Sequence, residues 1–236
     1  MASRPPVPPV GRMGPWTWTA TAWGTWRLRK VNHELWTYNG GGDPILERDR
    51  SLEQEIGLRF IFIDTDNKEG SGFTKTLPGL NVAFAPADAW DKCVILSPQP
   101  QQRVVSEAET KAGWAKDAVV VPLRTRGAGR TISGSVALKD LGAGDPAKWG
   151  YQVVVQSNEG FPDKADLLTR KVNEFEGQHR FGGGNDGDCD PHAMDVLAGK
   201  GTGDKSEIEE QYKMLAYECE ADGTSKKMAT LSMIRK

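Results

Sequence analysis

Two sets of residues in this 236-residue chain have the types and spacing to do chemistry. The first is the run from Glu176 to His192. There Gly182, Gly183 and Gly184 precede alternating Asp186, Asp188 and Asp190, beside two of the chain's three histidines, His179 and His192. Consecutive glycines mark a specific loop geometry, because glycine takes positive φ and admits a close backbone neighbour. Alternating carboxylates suit a hard cation, and Asp-x-Asp-x-Asp opens a calcium loop. A calcium helix-loop-helix needs Gly at its sixth position and Glu at its twelfth, where this chain has Pro191 and Leu197. Asp64 and Asp66 fail in the same way at Glu69. Asp186, Asp188 and Asp190 are therefore expected to cap turns first and to hold Ca²⁺, by a non-standard oxygen set, second. Zinc on Cys189, His192 and His179 would lack a fourth ligand and paired spacing.

The second set is the tryptophans, eight in all. A pyranose stacks its C–H face on an indole while nearby Asp, Asn, Gln or Arg groups bond its hydroxyls. Trp36, Trp90, Trp114 and Trp149 fall at expected strand ends or loops, where such platforms are built, although tryptophan is also a common core residue. Trp90, Trp149 and Trp114 are the candidate carbohydrate-binding rings, with Asn158, Glu159 and Arg180 as their hydrogen-bonding partners. Catalytic signals are weak. No Gly-x-Ser-x-Gly elbow occurs, Ser133-Gly134-Ser135 lies inside a strand pattern, and no two carboxylates can be paired from sequence.

Composition narrows the partners. A formal net charge of −2 argues against nucleic acid or an anionic membrane. No apolar run approaches the roughly 18 residues of a membrane span. Met1 to Met13 is Pro-rich and lacks the apolar stretch of a secretory signal, which predicts either an intracellular chain or a piece of a longer exported protein. Cys93, Cys189 and Cys219 allow one disulfide and a free thiol, or three thiols.

The elements that must position these residues read as short strands. Residues 1–15 are expected to be a disordered Pro-rich tail. From Trp16 to Tyr38 aromatic and polar residues alternate, as in one or two edge strands. Ile56 to Asp64 is nearly all apolar, as in a buried strand. Asn81 to Ala85, Lys92 to Leu96, Ala118 to Arg124, Thr131 to Leu138 and Trp149 to Ser157 follow, with a brief helix in 104–112. Ser206 and Glu209 form a capping box for a helix carrying Ile208, Tyr212 and Leu215, and Met228 to Ile234 is a last edge strand. Residues 16–236 are expected to be one all-β domain, a β-sandwich with one short C-terminal helix.

Four segments carry a resemblance: FIFIDTD (60–66), LPGLNVAFAPADAWDKCVIL (77–96), WGYQVVVQSNEGF (149–161) and GQHRFGGGNDGDCDPHAMDVL (177–197). Together they resemble the C-terminal domain of glucodextranases and amylopullulanases, the glucodextranase-like DOMON domains, which are similar to family 9 carbohydrate-binding modules. The resemblance implies an immunoglobulin-like or jelly-roll β-sandwich appended to exported hydrolases of α-glucans. It also implies a non-catalytic module that binds carbohydrate or attaches the enzyme to the cell envelope, in an extracellular or cell-surface location. Members usually open with an Asp-Pro-x-Gly-Asp-Asp turn; residues 16–55 diverge, offering only Asp43-Pro44.

The expected function is thus a carbohydrate-binding or surface-attachment module, whose partners are a polysaccharide or cell-envelope glycan and a glycoside hydrolase catalytic domain. Two other classes compete. Some DOMON-like sandwiches hold haem for electron transfer through Met and His, for which Met194 with His192 or His179 are the candidates here. A glucan hydrolase in its own right would need a cleft with two carboxylates.

Overall fold

The computed structural model describes residues 59–156 apart from 98, 129 and 130, then 189, 191–193, 195–197, 209 and 212–235, together with the strand backbone at 16–20, 25–30, 37–38 and 44–45. The chain is mostly strands. In order they are β1 (Trp16–Ala20), β2 (Thr25–Lys30), β3 (Thr37–Tyr38), β4 (Pro44–Ile45), β5 (Arg59–Asp64), β6 (Val82–Phe84), β7 (Lys92–Leu96), β8 (Val119–Val120), β9 (Thr125–Ala128), β10 (Thr131–Ser135), β11 (Gly150–Val155), β12 (Asp195–Val196), β13 (Glu218–Cys219), β14 (Ser225–Lys227) and β15 (Ala229–Leu231). Among the described residues two α-helices are delimited, α1 (Gln101–Lys111) and α2 (Leu138–Leu141), and Glu209, Tyr212 and Lys213, within the stretch expected to form the C-terminal helix, are also helical. No helix among the described residues is long and apolar enough to cross a membrane.

The centre is a five-stranded sheet in the order β12-β11-β5-β7-β8. β5 runs antiparallel to both β11 and β7, and a core lies on each of its faces, so all six of its residues are buried. Burial on both faces explains the continuous apolar run 60–63 between Arg59 and Asp64. Alternation divides the sheet's residues between two cores. Phe60, Phe62, Cys93, Ile95 and Val154 face one, with Trp90, Leu77, Leu80, Val104, Ala108 and Met214. Ile61, Ile63, Val94, Leu96, Val153 and Val155 face the other, with Trp149, Leu141 and Ile132. Each large side chain withdrawn from water contributes about 1.5–3 kcal/mol before entropy is counted.

Ile132 comes from β10, the third strand of a four-stranded sheet ordered β1-β2-β10-β9, so that β10 covers part of the second core. Contact is close at Gly134, where an added Cβ would lie 2.8 Å from Leu96 Cδ2 and 2.8 Å from Pro122 Cγ. The 16–38 stretch expected to hold one or two edge strands supplies β1, which is an edge, and β2, which is not: it is paired antiparallel with β1 on one side and β10 on the other. Opposite, α1 and β6 cover the first core, and β15 runs parallel to β6. The final segment is thus a paired strand brought beside residues far from it in sequence, followed by an Ile234–Tyr151 bridge back to the central sheet.

Buried polar groups are mostly used as connectors. Gln152 donates to the Ser232 carbonyl at 2.6 Å and accepts from Leu197 N at 2.9 Å, joining β11 to two other segments. Arg59 is an exception: buried, with its Nε unpartnered and no carboxylate beside it among the described residues, it has its pKa pushed down to about 9 by burial. Cys189 and Cys219 form a disulfide with Cα atoms 5.4 Å apart, and Cys93 is a buried free thiol. The expected tail at 1–15, Ser206, Ile208 and the glycine triplet lie outside the described residues.

Candidate functional site

Most of the first core's aromatic residues form a stepped series of rings that runs from the interior to the surface. Phe62 meets Phe84 and Trp90 edge-on, each with ring centroids 5.1 Å apart. Trp90 leans on Phe73 at 4.9 Å, and Phe73 meets Trp114 edge-on at 5.2 Å. Trp90 itself lies 6.2 Å from Trp114, at 62°. These spacings and tilts are the favourable ones for aromatic pairs. At the inner end Trp90 is 0% exposed, and at the outer end Trp114 is 39% exposed.

The backbone holds both ends. Phe73 and Trp90 exchange hydrogen bonds, Phe73 N to Trp90 O at 2.7 Å and Trp90 N to Phe73 O at 2.9 Å. Gly72 permits that approach: its φ is +75°, and a Cβ there would sit 2.7 Å from the Trp90 carbonyl oxygen. The Trp90 indole Nε1 donates to the Lys75 carbonyl at 3.1 Å. Trp114 stands on the 3₁₀ turn Gly113–Ala115 that follows α1. Ala112 and Ala115 are buried on either side of it, so the turn is pinned by small residues while the indole between them stays outside. Lys75 Nζ lies 5.4 Å from the Trp114 ring centroid.

Of the three expected sugar-stacking rings, then, only Trp114 has an accessible face. Trp90 and Trp149 correct that expectation: Trp90 is core, and Trp149 is 2% exposed in the second core. Both sit at the strand ends expected for platforms, but the loops around them fold inward. Gly144, with φ of +120°, brings its backbone so close to Trp149 that a Cβ would be 3.2 Å from the indole Nε1. Asn158, Glu159 and Arg180 lie outside the described residues, as do the expected calcium ligands Asp186, Asp188 and Asp190. Phe73 and Lys75 were not singled out by sequence, although Gly70-x-Gly72 just before them signals a tight turn.

Among the described residues, Asp64, Asp66 and Asp91 come together, with ligand atoms within 4.8 Å of one another. Each already accepts hydrogen bonds. Asp64 Oδ1 takes Asn67 N at 2.8 Å, and its Oδ2 takes Arg235 Nη2 at 2.7 Å. Asp66 Oδ1 takes Lys68 N at 2.9 Å. Asp91 Oδ2 takes Thr65 N at 2.7 Å and Thr65 Oγ1 at 2.8 Å. Asp64 and Asp66 cap the turn after β5, the role expected of the chain's Asp-x-Asp runs, while Asp91 holds Thr65 from a distant part of the sequence. Arg235 ties the cluster to the C-terminal segment, with Nη1 on Asp88 Oδ1 at 2.6 Å and Nε on Asn67 Oδ1 at 2.9 Å. Partial burial pulls the guanidinium pKa down, but the bonds to Asp88 and Asp64 outweigh it and raise the net value.

The haem candidates fare differently. His192 is buried with its Nδ1 3.0 Å from the Gly79 carbonyl, so that nitrogen carries the proton, and its backbone N bonds Leu80 O at 3.0 Å. Met194 and His179 lie outside the described residues. Cys189 is in the disulfide, which removes it from any zinc set.

Comparison with known proteins agrees with the segments quoted above. A search of curated proteins returns no match. The family model described as the C-terminal binding-module, SLH-like, of glucodextranase matches residues 53–233, well over half of the 236. The matched span begins at residue 53, near the end of the divergent stretch 16–55, and takes in the central sheet, the aromatic series, the disulfide and β15. On that match the chain belongs to the family of the SLH-like C-terminal binding module of glucodextranase.

Proposed function

We propose that this protein is a non-catalytic carbohydrate-binding module that attaches to a glycan through the Trp114 face, within a β-sandwich. The observation that carries the reading is one exposed indole braced edge-on by Phe73 and Trp90. A large apolar ring left in water at a surface costs free energy unless something covers it, and a rigid base removes the entropy penalty of ordering it on binding. A pyranose ring is the ligand whose C–H face matches a flat indole and whose hydroxyls tolerate the surrounding water.

Membership in a family of binding modules supports the non-catalytic assignment, and the name of that family points to α-glucans and to a cell-surface or extracellular setting. The Cys189–Cys219 disulfide favours the same setting, since such bonds persist in oxidising compartments. Affinity electrophoresis tests the reading. Migration of the full chain should be retarded in gels containing amylose, pullulan or dextran, and Trp114→Ala should restore free migration. Equal retardation of both proteins would reject Trp114 as the contact.

A further inference from the structure

We propose that the glycan bound at Trp114 carries a negative charge, a carboxylate or a phosphate, and that Lys75 is the residue that reads it. This rests on the reading of Trp114 as the glycan platform and adds the class of its ligand.

Lys75 is held at the platform by its backbone while its ammonium group stays uncommitted. Its carbonyl accepts the Trp90 indole N–H, and it is bridged to Ala83 of β6. The side chain is exposed, and among the described residues no carboxylate pairs with it. Its ammonium instead stands over the Trp114 ring. Lys111, at the end of α1 next to the Trp114 turn, is by contrast neutralised by Glu107 at 2.6 Å.

A sugar stacking on Trp114 must share the ring with that ammonium or displace it. An ammonium over an exposed indole is a weak contact, and a charge-assisted hydrogen bond to a carboxylate or phosphate is stronger. A charged glycan therefore exchanges a weak contact for a strong one as it binds. A neutral glycan must give up the cation–π contact and return only hydroxyl bonds. The preference belongs to an exposed pair, so salt should screen it.

The test is calorimetric titration of the full chain with amylose, amylose oxidised at C6 to the uronate, and phosphorylated amylose. Wild type should bind at least one charged glucan about tenfold more tightly than amylose at low salt, with the preference shrinking in ~0.5 M NaCl. Which charged glucan is preferred identifies the carboxylate or the phosphate as the group read. Lys75→Met keeps the apolar stem and should lose the preference, and Lys75→Arg should retain it. Equal binding of charged and neutral glucans, or a preference that survives Lys75→Met, overturns the proposal. If Trp114→Ala abolishes binding while the Lys75 variants change nothing, only this proposal falls. If Trp114→Ala changes no affinity, or no glucan binds wild type, the platform reading falls with it.

Discussion

Trp90 and Trp114 belong to one ring series, yet burial gives them opposite work. Trp90 fills the space between Phe62 and Phe73 and donates its indole N–H inward, while Trp114 offers a face to solvent. Trp90→Ala should cost about 3–5 kcal/mol, because it removes a large buried side chain and leaves a cavity. Chemical denaturation measures this, and a loss below ~1 kcal/mol would mean that Trp90 is not core. Sequence showed that both tryptophans lie near loops but could not tell them apart. Exposure depends on whether a loop folds over its ring or away from it, and here that is set by Gly72 and by Ala112 and Ala115. Neither signal is local to the tryptophan it controls.

Among the elements, the C-terminal segment is held by backbone pairing with β6 and Tyr151, by Gln152, and by a cluster of bonds gathered on one side chain, Arg235. Arg235 reaches Asp64, Asp88, Asn67 and the Ala87 carbonyl, linking the segment after β15 to the turns that follow β5 and β6. Asp64 is buried, so Arg235→Ala strands a carboxylate oxygen away from water, whereas Asp88 keeps partial solvent access. The expected loss is about 2 kcal/mol in thermal unfolding, tempered by Arg235's own exposure to solvent. Arg235→Ala combined with Asp64→Asn should lose less than the sum of the two single changes, and strict additivity would deny the coupling. Strands β5, β7 and β11 were legible because hydrophobic pattern and β-branched residues mark them locally. The expected helix in 104–112 appears as α1, starting three residues earlier at Gln101, just after Pro100. The parallel pairing of β15 with β6 was not legible, since nothing in either short strand encodes a partner so distant along the chain.

For the whole molecule, the two cores and the disulfide define how the fold resists unfolding. Cys189–Cys219 closes a loop across a separation of 30 residues. In the chain-entropy account, closing such a loop is worth about 3–4 kcal/mol. Reduction should lower stability by about that amount, and an unchanged denaturation midpoint would contradict the bond. Cys93 should remain unmodified by a thiol reagent at pH 8 until the protein unfolds. Burial pushes its thiol pKa well up and shields the sulfur, so little thiolate exists to react. Sequence counted the cysteines without pairing them. The pairing follows from three-dimensional placement, as does the covering of part of the second core by β10.

Glycan binding at Trp114 is the proposed role, and it rests on an exposed indole standing on a rigid aromatic base. Titration of wild type and Trp114→Ala with a soluble α-glucan, beside thermal unfolding of both, tests it most directly. Wild type should bind saturably, with at least a tenfold loss, about 1.4 kcal/mol, in a variant that still unfolds cooperatively. Equal affinity of the two folded proteins would contradict it.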